Sequence, residues 1–260
     1  MYVEALTRKA LRHRAVTHPY LTALANDELP DLRWALRDFA AHYLHYSQWF
    51  PRYLTTVISR LERDAHRKAL LENLTEESGK YGDEEIKTLA RIGIKPDWIV
   101  GIAHPRLFQR FCHAVQAPTD RLPSDATACW REMFLSLLVH STPAEAVGAL
   151  GLGTETIVST IYKPFVAAIA RLPDLAPHDT VFFPLHTTVD DNHQATLQAI
   201  ASDLATDESA QVGLRRGMLK ALALRTAFWD WLYERALDPD IADRPSMGKM
   251  SVARPVGASR

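Results

Sequence analysis

The chain has no excess of charge of either sign, because 30 Lys and Arg stand against 31 Asp and Glu. No global field therefore gathers nucleic acid, an anionic membrane or an acidic substrate at its surface, and any partner has to be argued locally. Long hydrophobic runs are missing too. The opening MYVEALTRKALRHRAV carries no apolar core of signal-peptide length, and no stretch approaches the roughly 18 uninterrupted apolar residues of a membrane span. The expectation is a soluble, cytoplasmic protein with neither a membrane nor a nucleic-acid partner. Cysteine is scarce: Cys112 and Cys129 are the whole complement, which fits a reducing compartment and free thiols buried for packing. Sustained apolar-polar alternation, the mark of a half-buried strand, is absent, as are internal repeats and low-complexity tracts.

What is present is helical periodicity on a 47% apolar composition, in a chain of 260 residues that one large domain can accommodate. The pattern predicts an all-α helical bundle of about seven core helices over residues 1–240, followed by a disordered tail at 241–260. A first helix is expected over 2–16, and a long one over 31–61 kinked at Pro51. A third runs over 64–77 and stops at Gly79, and another covers 104–115. Ser124 caps the helix SDATACWREMFLSLLVH, and STPAE opens a helix that reaches Leu172 with a kink at Pro164. Two more helices are expected over 183–204 and 207–237. Residues 80–103, broken by Gly82, Gly93 and Pro96, read as an inserted lid or surface excursion.

The chemistry concentrates in FFPLHTTVDDNHQATLQAIASDL. His186, Asp190 and His193 stand at i, i+4 and i+7 on one helical face, and the same seam continues through the apolar Leu197, Ile200 and Leu204. Two imidazoles and a carboxylate on a core seam are costly to bury unpaired, and a metal ion is one partner that satisfies all three. A solvated patch near a helix start is the other reading, which suits Asp191 and Asn192. Polar residues recur on three further seams: Glu155 after Gly148 and Leu152, Glu77 after Leu70 and Leu74, and His104 before Phe111 and Val115. Together the six donors build two neighbouring sites, one from Glu77, His104 and His193, the other from Glu155, His186 and Asp190. Mixed imidazole and carboxylate ligation with open positions suits iron or manganese better than structural zinc, and iron is the choice here. The Glu-x-x-His pairs of ferritin-like diiron bundles are not found, and Glu62 and His66 read as an exposed helical face.

NLTEE with Glu77, HPRLF with His104, GTETI with Glu155 and HTTVDDNH with His186, Asp190 and His193 resemble the haem-oxygenase-like diiron oxidase and oxygenase family. The likeness covers roughly residues 18–200, and the segment from HYLHYSQWF to LTEESG is similar to a chlamydial member of that family. It implies a single haem-oxygenase-like helical domain, two Fe(II) ions on those six residues, and dioxygen as co-substrate. The reactions it implies are desaturation, C–C cleavage, hydroxylation or N-oxygenation of a small amino acid, amine or fatty acid. A homodimer is common for that fold. The 26 residues between Glu77 and His104 exceed the family's usual spacing, so Glu76 and Asp83 stand as alternatives to Glu77.

Lys163 and Arg52 are candidates to meet a substrate carboxylate, with a solvated role as the alternative, and Tyr43, Tyr46 and Trp49 either line the pocket or form plain core. Two other functions remain open on the same helices. One is a metal-independent, thiaminase-like or quinone-synthase-like enzyme. The other is a non-enzymatic interaction protein whose polar seam residues pair with one another.

Overall fold

The computed structural model describes residues 1–188 and 190–242, without the side chains of 188, 190–192, 241 and 242. The tail expected to be disordered, 241–260, lies almost wholly outside the described residues. The described residues are helical with no strand among them. In chain order the helices begin with α1 (Tyr2–Leu11), α2 (Pro19–Asn26), α3 (Leu32–Ser47), α4 (Phe50–Arg60) and α5 (Asp64–Glu77). Next come α6 (Asp83–Arg91), α7 (Pro96–Ile99), α8 (His104–Ala114), α9 (Asp125–His140) and α10 (Pro143–Val147). A π-helical segment (Gly148–Glu155) then leads into α11 (Thr156–Ile169), α12 (Pro177–Thr180), α13 (Phe182–Thr188), α14 (Asp190–Leu204), α15 (Glu208–Leu237) and α16 (Pro239–Ala242). None of them is long and apolar enough to cross a membrane.

One apolar cluster runs from Val3 on α1 to Ala236 on α15. Its centre is aromatic: Phe39, Phe108, Phe165, Phe183 and Trp229 are fully buried and touch one another edge-on, tilted or, for Phe165 and Phe183, stacked. Each ring removed from water contributes roughly 1.5–3 kcal/mol before the entropy of ordering it is subtracted.

Helix boundaries depart from the periodic pattern where local chemistry overrides it. The expected helix over 2–16 ends at Leu11, because His18 caps a separate α2: its Nδ1 accepts from the Tyr20 N–H at 3.1 Å, and Pro19 takes the first helical position. Pro51 does more than kink the second helix, since it sits in the first turn of a new one, α4. Pro164 is carried inside α11, which stops at Ile169 rather than Leu172. The helix expected over 183–204 is matched on the described residues by α13 and α14, and residue 189 between them lies outside the described residues.

The insertion is packed down. Leu89, Ile94 and Ile99 are buried in the common core. Its two ends are pinned where the Gly101 N–H donates to the Gly79 carbonyl at 2.8 Å. Gly79 has φ +86°, and a Cβ there would meet the Ile102 carbonyl oxygen at 2.6 Å, so only glycine fits this junction. The end of α5 and the start of α8 are thereby brought side by side despite the long loop.

The π segment lies where α10 would otherwise have run on into α11 as one regular helix. Its Gly148 lies against the Leu214 backbone of α15, and Gly217 of α15 lies against the Glu145 carbonyl of α10, each too close for a Cβ. π segments gather at functional positions, and this one ends on Glu155.

Two readings of the sequence are corrected here. Cys112 is buried, with its thiol pushed up to about 12 by burial, but Cys129 is exposed on α9. His66 is buried rather than on an exposed face, its Nε2 3.0 Å from Asp203, while Glu62 stays exposed.

Candidate metal centre

Glu77 closes α5 and His104 opens α8, and both are about 4% exposed. With His186 of α13 they form a group whose ligand atoms all lie within 4.8 Å of one another. The His104 Nδ1 stands 3.1 Å from Glu77 Oε1 yet has no hydrogen-bond partner, while its Nε2 lies 2.8 Å from the Tyr81 hydroxyl. A buried nitrogen facing a carboxylate oxygen without a hydrogen bond fits two ligands of one cation. Donors about 2.1 Å from an ion and at a right angle stand about 3 Å apart. The His186 Nδ1 is 2.7 Å from the Phe182 carbonyl. Only an N–H can satisfy that contact, so Nδ1 donates and Nε2 keeps its lone pair for the centre.

Glu155, delivered by the π segment, and His193, on α14, complete the buried polar cluster at 5% and 3% exposure. The His193 Nδ1 is 4.0 Å from both Glu77 and Glu155, and its Nε2 is 2.6 Å from Glu76 Oε2. The alternatives to Glu77 thus have other positions: Glu76 holds the outer nitrogen of His193, and Asp83 is exposed at the start of α6. The converging trio contains His186 where the spacing had suggested His193, because Glu76 draws one face of His193 outward. Asp190 begins α14, and its side chain lies outside the described residues.

Burial disfavours charge throughout the cluster, and the histidines decide which acid keeps it. Burial pushes the Glu77 carboxyl up, but His104, His186 and His193 outweigh it and hold the group down at about 2. Glu155 rises to about 7, because burial and the nearby Glu77 prevail over His193 and Arg225. Burial, reinforced by His104, takes His186 down to about 3, so its imidazole is neutral and able to ligate at physiological pH.

A cavity of about 40 Å³ adjoins the cluster, walled by Tyr43, Val158, Tyr162, Phe182 and Arg225 beside Glu77, His104, Glu155 and His186. The Tyr43 and Tyr162 hydroxyls are 2.8 Å apart. Tyr43 lines the pocket, while Tyr46 is core, stacked on Trp130 at 3.7 Å. Lys163 is exposed, and so is Arg52, whose guanidinium lies over Trp49 at 4.2 Å. Neither basic candidate reaches the cavity. The sequence reading missed Tyr81, inside the insertion, and Arg225. For Arg225 there was a signal: it falls on the apolar seam of Met218, Leu222, Trp229 and Leu232 at helical spacing.

Among solved structures, a domain with a heme oxygenase-like fold from Shewanella denitrificans matches with TM-score 0.67 at 14% identity, over 94% of this chain and 93% of that one. A CADD-like protein from Nostoc punctiforme gives 0.68 at 16%, over 92% and 97%. A TenA homolog from Pseudomonas syringae gives 0.66 at 12%, over 89% and 91%. At such identities the likeness shows a shared haem-oxygenase-like fold. A 4-aminobenzoate synthase from Chlamydia muridarum is 24% identical over 200 residues, 75% of each chain. Residues 37–226 match the model of a family described as iron-containing redox enzymes, and the chain belongs to that family.

Proposed function

We propose that the chain is a non-haem diiron oxygenase or oxidase that uses dioxygen to oxidise a small organic substrate. The observation that carries the reading is the buried convergence of Glu77, His104 and His186, whose ligand atoms all lie within 4.8 Å of one another. These three would hold one ion, and Glu155 and His193, with Asp190, the other. When bound, reduced iron supplies the electrons that let dioxygen react with a closed-shell molecule.

The chain's own groups prepare the site for that chemistry. Glu77 remains a carboxylate, and His186 remains neutral with its ring aligned by the Phe182 carbonyl. Tyr81, whose phenol burial keeps protonated, fixes the His104 ring from outside. Tyr43, Val158, Tyr162 and Phe182 exclude bulk water, and the Tyr43 and Tyr162 hydroxyls are hydrogen-bonded to each other at the cavity wall. The substrate classes supported by resemblance are amino acids, amines and fatty acids, and the relative named 4-aminobenzoate synthase adds aminobenzoate formation.

The test is iron(II) loading without oxygen, followed by an oxygen pulse against a panel of those substrates. A transient visible absorption and substrate-dependent oxygen uptake, both lost in His186→Ala, are expected. Their absence with iron, manganese and every substrate would overturn the proposal.

A further inference from the structure

Arg225 is 1% exposed, its guanidinium carbon 5.5, 5.2 and 5.9 Å from the ring centroids of Tyr46, Trp130 and Trp229. A buried guanidinium is expected to come with an acid, since an uncompensated charge away from water is costly. Elsewhere in the fold the partly buried Arg235 grips Asp38 through two bonds of 2.9 and 2.6 Å. Arg225 differs. Among the described residues no carboxylate comes within ion-pair distance of it, although Glu155 in the same cavity wall lies near enough to feel its charge; the phenols of Tyr43 and Tyr162 stand beside it, and its Nη1 has no hydrogen-bond partner.

This guanidinium lines the same cavity as Glu77, His104, Glu155 and His186, whose remaining wall is largely apolar or phenolic. The cavity, about 40 Å³, has room for a headgroup of carboxylate size and little more. A planar fork of donors matches the two oxygens of a carboxylate, and a stem clamped between aromatic rings keeps that fork in place without further loss of freedom.

We infer that Arg225 anchors a carboxylate of the substrate, holding the body of the molecule beside Glu77, His104 and His186. The inference rests on the proposed oxidation reaction for its consequence, but carboxylate binding itself needs no metal. It narrows the substrate to small carboxylates, and makes an amine without an acid group a poor ligand.

The test uses the full chain, stripped of metal with chelator and titrated at fixed ionic strength. Acetate and propionate are compared with acetamide and propionamide by ligand-observed NMR. Wild type should bind the acids roughly ten- to a hundredfold more tightly than the amides. Arg225→Lys keeps the charge but not the fork and should lose most of that preference, as should Arg225→Met where circular dichroism shows it folded. Equal binding of acid and amide by wild type overturns the inference without recourse to any variant. An acid preference retained in folded Arg225→Lys and Arg225→Met overturns it as well. Iron(II) titration of the same samples separates the two claims. Iron uptake without acid preference sinks only the anchor, and acid preference lost in the variants without iron uptake by wild type sinks only the diiron reading.

Discussion

Replacing Glu155 with Gln should make the metal-free protein more stable above neutral pH and leave it nearly unchanged in acid. Glu155 is buried, and its carboxyl ionises at about 7 in the fold against an ordinary 4.5. Between those values the unfolded chain gives up a proton that the folded chain keeps, so stability falls as pH rises through the window. At about 1.4 kcal/mol per pH unit the full loss is on the order of 3 kcal/mol by pH 8. His186 acts in the opposite direction. Its imidazole ionises at about 3 in the fold, so its contribution is complete above the ordinary 6.5 and is lost as pH falls towards 3. The two slopes oppose each other between pH 4.5 and 6.5, and the wild-type profile alone is uninformative there. The difference between Glu155→Gln and wild type removes the histidine contribution. Urea unfolding followed by circular dichroism at pH 5, 6, 7 and 8 should show that difference opening from about 1 kcal/mol at pH 5 to about 3 kcal/mol at pH 8. Parallel profiles across the range would refute the assigned burial and charge of Glu155.

Iron(II) binding, which needs Glu155 ionised, should tighten between pH 6 and 8 by up to about tenfold per pH unit, read by anaerobic titration. Tyr81→Phe removes the outer partner of His104 and should weaken iron(II) by roughly ten- to a hundredfold, with the far-ultraviolet spectrum unchanged. Gly217→Ala places a methyl group against the Glu145 carbonyl and should cost roughly 1–3 kcal/mol, seen calorimetrically as a Tm lower by about 2–4 °C for each kcal/mol. A thiol-disulfide reagent should modify Cys129 in the native protein and Cys112 only after denaturation, as mass spectrometry would report.

Much of the fold was readable because amphipathic periodicity reports burial directly. The boundaries that moved did so at His18, Pro51 and the glycines around the π segment, where a cap, a missing N–H or a close backbone approach outweighs periodicity. Glu77, His104, Glu155, His186 and His193 stood out as polar residues on apolar seams, and the fold brings them into one cluster. How they group was not readable, because spacing along one helix says nothing of which nitrogen a neighbouring helix claims. Here Glu76 takes His193. The same limit hid Tyr81, which reaches His104 only because Gly79 and Gly101 close the base of the insertion. Arg225 was overlooked for a different reason: on a seam of aromatic and aliphatic neighbours a single Arg reads as a snorkelling surface residue until its burial is seen.

The central claim is that one buried cluster holds two iron ions, and the most direct measurement is anaerobic iron(II) titration of the metal-free chain with the bound metal counted. The account predicts saturation at two ions per chain for wild type, with His186→Ala losing at least one of them while remaining folded. A wild-type chain that takes up no iron, or a His186→Ala chain that still binds two ions as tightly as wild type, would contradict it.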